Sequence, residues 1–280
     1  MLGIALALAA SVSWGISDFL GGLQSRRFSA LSVLIVSQPV GAFAALTVAI
    51  PAGGALLPAR EFAIATLGGA AVLAALGAFY KAMALGSVSV VATVGALGVV
   101  VPVVAGIGAG EEPTTIQAVG SVIAVTGVLV AAREPDPEWR QANRASVGLA
   151  ALAALGFGIF FLAIDEAASE DPIWTIVAAR AGGVTVLALA ALRFRPSLPR
   201  ARGPVLAALL TIGLFDVLAN SLYAVATTHG LLPLVAVAGS LYSAVTVVLA
   251  RVFLGERLAS SQRAGVVVAL AGVAVIAVGT

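Results

Sequence analysis

The sequence predicts an all-α polytopic membrane protein, with ten transmembrane helices arranged as two inverted five-helix repeats. Three observations carry that prediction. Hydrophobic types make up 61% of the 280 residues and charged types 10%, with a mean hydropathy of +1.11, whereas soluble domains carry about 25% charge. The solvent is lipid. A hydrocarbon core of about 30 Å takes ~20 apolar residues per helix, and runs of that length follow one another along the whole chain. They are helices and not barrel strands, because no alternating pattern appears and an open sheet edge leaves its backbone unsatisfied in hydrocarbon. Third, the second half repeats a register of glycine, glutamate and glutamine found in the first.

The spans follow in order. Span 1 (2–22) has no basic residue before Arg26, so it lacks the charged start of a cleaved signal peptide and is expected to stay. Span 2 (29–50) opens after Arg26 and Arg27 and closes at Pro51; span 3 (62–84) opens after Arg60 and Glu61 and closes at Gly86. Span 4 (89–109) contains Pro102, which removes a helical hydrogen bond and can kink the rod. Span 5 (114–132) follows Glu111, Glu112 and Pro113. The charged stretch 133–145 then divides the chain into repeats over 1–132 and 146–280. Span 6 (146–164) ends at Asp165 and Glu166; span 7 (172–193) starts on a proline and ends on an arginine. Spans 8 (204–227), 9 (232–254) and 10 (261–279) complete the chain. The connections over 51–59, 133–145 and 193–203 are too short to fold alone.

The repeat is read from punctuation and not from the common alanines. Phe79-Tyr80, Gly95, Gly110-Glu111, Gln117, Gly120 and Gly127 are matched by Leu222-Tyr223, Gly239, Gly255-Glu256, Gln262, Gly265 and Gly272. From the Gly-Glu pair onward the offset is a constant ~145 residues. Near the start of each half, Trp14-Gly15 matches Phe157-Gly158. Five spans per half is odd, so the second half enters the membrane from the opposite side. Such halves pack around a pseudo-two-fold axis in the membrane plane and support inward-open and outward-open states of similar energy. That geometry suits a carrier.

The stretch from Phe79 to Gly86, Gly110-Glu111, the Gly-Glu-Arg-Leu at 255–258 and Trp14-Gly15 resemble the EamA type of the drug/metabolite transporter superfamily. The resemblance covers essentially the whole chain, and its motifs mark the fold and not the cargo. It implies a ten-helix carrier, often an exporter of amino acids, other metabolites or drugs, with a central cavity lined by spans 1, 3, 4, 6, 8 and 9. The expected function is secondary active export of a small metabolite, such as an amino acid or an organic cation, by alternating access, with protons as a candidate coupling ion. A channel or a non-transporting scaffold subunit is the alternative.

Other classes fit worse. With no Cys and one His, thiol chemistry and His clusters are excluded, and an intramembrane enzyme has no evident nucleophile and base. No phosphate-binding loop pattern appears, so ATP hydrolysis is not expected, and no cofactor or metal is called for. The basic residues lack a face with interleaved aromatics, so nucleic acid is not a partner. The expected partners are the bilayer and a small-molecule substrate, and the expected setting is a prokaryotic inner or plasma membrane.

Basic residues near helix ends collect on the cytoplasmic side. Arg26, Arg27, Arg133, Arg140, Arg144, Arg193, Arg195, Arg200, Arg202, Arg251, Arg257 and Arg263 all fall on one side of the ten-span scheme, while Glu61, Glu111, Glu112, Glu166, Glu170 and Asp171 fall on the other with Arg60. The charge rule therefore places both termini outside the cytoplasm, whereas the family resemblance implies termini inside.

An ionisable group at membrane depth is a functional candidate by default. Asp216, Asn220 and Tyr223 share a face of span 8 at helical spacing, extended by Thr227, and Asp216 is the candidate coupling group. Trp14 and Asp18, with Ser11, make a similar stripe on span 1, as Phe157, Phe161 and Asp165 do on span 6. Aromatic rings beside a carboxylate make a receptor for an organic cation. Tyr80 and Lys81 of span 3 and Tyr242 of span 9, flanked by Ser240 and Ser243, complete the candidate wall. Arg180 of span 7 reads as an ion-pair partner for Asp18 or Asp216; if it or Lys81 remains free, a zwitterion becomes the natural cargo. Glu111 and Glu256 read as helix N-terminal carboxylates, and His229 as a loop residue.

Overall fold

The computed structural model describes residues 1–53, 56–131, 144–199, 202–255 and 259–278. The linker over 133–143 lies outside them, as do Arg133, Arg140, Arg200, Glu256 and Arg257. Among the described residues the chain is all-helical: α1 (Leu2–Ser25), α2 (Ala30–Ala52), α3 (Ala59–Leu85), α4 (Val88–Gly95), α5 (Val100–Gly108), α6 (Thr115–Ala131), α7 (Arg144–Ala168), α8 (Pro172–Phe194), α9 (Pro204–Thr227), α10 (Leu232–Gly239), α11 (Tyr242–Leu254) and α12 (Ser260–Val278). Among the described residues, eight rods are long and apolar enough to cross a membrane, counting Val88–Gly108 and Leu232–Leu254 as one each. The outward surface agrees: Phe43, Leu67, Leu189 and Leu192 are each more than 60% exposed, which suits lipid and not water.

Local chemistry sets the ends. Ser29 caps α2 by accepting from the Ser32 N–H, and Asp171 caps α8 by accepting from Ile173 and Trp174, with Pro172 at the first helical position. Gly255 closes α11 with φ of 67°, a left-handed turn that glycine adopts without strain.

Two rods are broken, and the breaks are equivalent. A 3₁₀ turn over Ala96–Val99 separates α4 from α5, and Pro102 sits just beyond it. The break between α10 and α11 has no proline inside it, so Pro102 is not the shared cause. Each break instead follows one of the matched glycines. A Cβ on Gly95 would press on the Phe79 ring and the Tyr242 hydroxyl, and one on Gly239 would touch Tyr223 and Trp14. Both breaks lie where aromatic rings pack against the backbone.

Contacts fix the relative direction of the two halves. Gly21 and Gly22 of α1 meet Tyr80 and Met83 of α3, so α1 and α3 run parallel. Going the other way, Gly3 meets His229, Trp14 meets Asn220, and Ser17 donates to the Ile212 carbonyl at 3.0 Å, so α1 and α9 are antiparallel. Equivalent helices α3 and α9 therefore point in opposite directions, and the repeats are inverted. The packing obeys the exchange: α3 packs on α7 as α9 packs on α1, α3 on α8 as α9 on α2, while α6 packs on its own counterpart α12.

Glycines make the closest crossings. Gly69 of α3 lies on the Ala179 carbonyl of α8 and Gly182 of α8 on the Thr66 carbonyl of α3, matched by Gly41 and Gly213 between α2 and α9. A methyl at Gly69 or Gly182 must push two backbones apart. Gly69→Ala and Gly182→Ala are each expected to cost about 1–3 kcal/mol. Gly148→Ala, on α7 with nothing within 4 Å, should be neutral or stabilising by up to ~1 kcal/mol. Thermal unfolding of the three purified variants checks the order.

Candidate functional site

The two halves meet at a buried chamber lined by Trp14 and Asp18 (α1), Val72 and Leu76 (α3), Phe157, Phe160 and Phe161 (α7), Asp216 (α9) and Tyr242 (α11). Its volume is about 30 Å³, room for little more than one water. At this size the chamber has no room for an organic cargo. Helical spacing puts the lining residues on one face of each rod, and the inverted packing turns those faces toward each other.

Aromatic rings form most of the wall. Trp14 lies 5.5 Å from Phe161, 5.4 Å from Tyr223 and 6.4 Å from Tyr242, ring centre to ring centre. Phe161 stacks on Tyr223 at 4.7 Å, and Phe157 meets Tyr242 edge-on at 6.3 Å. The Trp14 Nε1–H donates to Asn220 Oδ1 at 2.9 Å. All three tyrosine hydroxyls of the chain, on Tyr80, Tyr223 and Tyr242, are buried without a hydrogen-bond partner among the described residues.

The charges are unequal. Arg180 Nη1 reaches in from α8 and donates to Asp216 Oδ2 and to Gln38 Oε1, both at 2.7 Å. The side chains of Arg180 and Asp216 are 10% and 6% exposed, so this pair is buried. Asp18, 4% exposed, has neither hydrogen bond nor ion pair among the described residues. The one guanidinium thus pairs with Asp216 and leaves Asp18 unpaired among the described residues. Gln38 and Arg180 are 142 residues apart, close to the repeat offset, so equivalent positions of the two halves touch near the pseudo-two-fold axis. A second void of about 20 Å³ beside them is lined by Gln38, Val72, Phe160, Arg180 and Asn220, among others.

Trp14, Asp18, Phe157, Phe161, Asp216 and Tyr242 are thus brought together, with Asn220 and Tyr223 behind them. Tyr80 stands one layer out, against Gly21 of α1. Lys81 does not join them. It is exposed and lines a separate groove with Ser25, Ser29, Leu34, Leu73, Leu187 and Phe194, because successive helical residues point about 100° apart. Asp165 lies with Glu111 and Glu166 at another pocket, near the opposite end. Ser240 and Ser243 spend their hydroxyls on carbonyls of their own segment, and His229 is exposed, bonded to Thr228 and the Val225 carbonyl. Glu111 corrects its expected role: it does not cap the helix it precedes, but accepts from the Leu232 N–H at 2.9 Å, at the start of α10. Two residues beyond the sequence-derived set matter here, Gln38 and Phe160. A polar amide at mid-span beside Pro39 was the available signal for Gln38.

Comparison with known proteins agrees with this architecture. A family model described as the EamA-like transporter family matches residues 1–133 and again 144–278. One solved crystal structure aligns with a TM-score of 0.75, covering 99% of this chain and 96% of that chain at 14% identity, a likeness of fold alone. No curated protein matches the chain. Two successive matches, one for each inverted half, place the chain in the EamA-like transporter family of the drug/metabolite transporter superfamily, as an integral multi-pass membrane protein.

Proposed function

We propose that the protein is a ten-span secondary carrier that moves a small organic monocation by alternating access, with the cargo bound in the chamber between Trp14, Asp18, Phe157, Phe161 and Tyr242. One observation carries the reading: Asp18 is a buried carboxyl with no partner in an aromatic chamber. Two carboxyls and one guanidinium leave that chamber one negative charge in excess. An isolated buried charge is expensive, so a proton or a cation must neutralise it. Rings supply cation–π attraction of about 0.5–2 kcal/mol each to a desolvated cation.

The same balance moves the coupling role from Asp216 to Asp18. Asp216 is held by Arg180 and Gln38, whereas Asp18 can accept a proton when cargo leaves. The titratable groups around Asp18 are Asp216 from α9, Tyr242 from α11 and Tyr80 from α3, with Arg180 of α8 behind Asp216. A proton taken from outside and exchanged for cargo inside makes the carrier an exporter. A zwitterionic amino acid is the second reading, favoured by Arg180 Nη2, which is buried without a partner.

Reconstituted liposomes preloaded with phenethylamine should take up labelled phenethylamine by saturable counterflow, and an inward-acid gradient should drive its exchange. Uptake that does not saturate points to a channel, and none for any amine points to a scaffold. For orientation we infer that the end carrying Arg26, Arg27, Arg193 and Arg195 faces the cytoplasm. A cysteine placed at Gly53, at the opposite end, should then react with an impermeant thiol reagent in intact cells; one placed at Arg195 should not.

A further inference from the structure

The groove that contains Lys81 lies outside the chamber and has its own chemistry. It measures about 780 Å³ and runs between the end of α1, α2, α3 and α8. Ala74, Lys81, Ala84, Leu85 and Phe194 on its walls are exposed, and on membrane-spanning helices such exposure is to lipid. Its lining is graded. Ser25, Ser29, Ser197 and Lys81 stand at helix ends, whereas Leu34, Leu73 and Leu187 lie deeper. From Lys81 to Leu73 is eight residues of α3, roughly 12 Å at 1.5 Å per residue. The shape is that of a head and a tail.

Two observations point to an anionic head. Lys81 has no hydrogen bond or ion pair among the described residues, and Ser25, 6% exposed, has its hydroxyl buried without a partner. Arg27, Arg193 and Arg195 stand exposed at the same end, so the local field is positive. Basic pockets between helices at a membrane surface bind anionic lipid head groups.

We propose that this groove holds one anionic phospholipid, its phosphate on Lys81 and Ser25 and one acyl chain along Leu34, Leu73 and Leu187. The site is also placed to matter for transport. Leu73 lines both the groove and the void beside Arg180 and Gln38, so a chain lying there props α2, α3 and α8 in the arrangement that holds the central ion pair. An anionic lipid therefore stabilises this conformation, whatever the cargo.

The test is the thermal unfolding of purified protein in neutral detergent, titrated with phosphatidylglycerol, with phosphatidylcholine of the same chains, or with inorganic phosphate. Phosphatidylglycerol should act at roughly fivefold lower concentration than phosphatidylcholine. Lys81→Gln should erase that difference, and Ala74→Trp, which fills the groove, should abolish the response to both lipids. Equal effects of the two lipids on the unaltered protein, or a preference that survives Lys81→Gln, overturn the proposal. So does a full response to inorganic phosphate, which would mean an anion site with no chain bound. If Lys81→Gln does not fold, Ala74→Trp decides: an undiminished lipid response in it places the lipid elsewhere.

Discussion

Asp18→Asn is expected to lower the affinity for phenethylamine by about 30-fold or more, the effect of removing one partner from a desolvated charge pair. The same substitution should leave the cargo-free protein as stable as before, or more so. Asp18 has no partner to lose, and an amide is cheaper than a carboxylate to keep 4% exposed at membrane depth. Calorimetric binding and thermal unfolding on one preparation check both halves. A loss of stability with affinity retained would make Asp18 a structural residue.

Asp216→Asn is expected to do the reverse. Its partner Arg180 would remain as a buried guanidinium with neutral acceptors and no countercharge, and breaking a buried pair from one side costs about 3–5 kcal/mol. Arg180→Met alone should cost a similar amount, because it leaves Asp216 unpaired. The double replacement Arg180→Met with Asp216→Leu should recover most of the loss, since a buried pair exchanged for packed apolar groups is often close to neutral. A double-mutant cycle on unfolding free energies, built from Arg180→Met, Asp216→Leu and the two together, measures this. Additive losses would mean that the 2.7 Å contact contributes little. Two aspartates on one small chamber thus have opposite signatures, and the difference comes from one arginine.

Much of the architecture was legible in the chain. Span limits follow from hydropathy interrupted by charge and proline, and Pro172, Pro204 and Gly255 mark ends that the helices respect. The break between α10 and α11 was not legible, because no proline announces it; it lies where Trp14 and Tyr223 pack against Gly239, a contact that exists only once the halves are packed. In the site, Trp14, Asp18, Phe157, Phe161, Asp216 and Tyr242 were readable because helical spacing and depth suffice to pick a polar or aromatic stripe. Lys81 was misplaced for a physical reason: α3 packs on both α7 and α8, so which of its faces looks inward depends on neighbours and not on its own pattern. Gln38 became significant only through Arg180, a partner in the other half.

The central claim is that the shared chamber carries one uncompensated negative charge, and ligands of matched shape and different charge test it most directly. Phenethylamine, phenylalanine and 3-phenylpropionate, together with isoamylamine, leucine and 4-methylpentanoate, should be titrated calorimetrically into the purified protein. Binding should fall in the order amine, amino acid, carboxylate within each set, and Asp18→Asn should flatten that order. If the amino acid or the carboxylate binds more tightly than its amine, or if the order survives Asp18→Asn unchanged, the charge reading of the chamber is wrong.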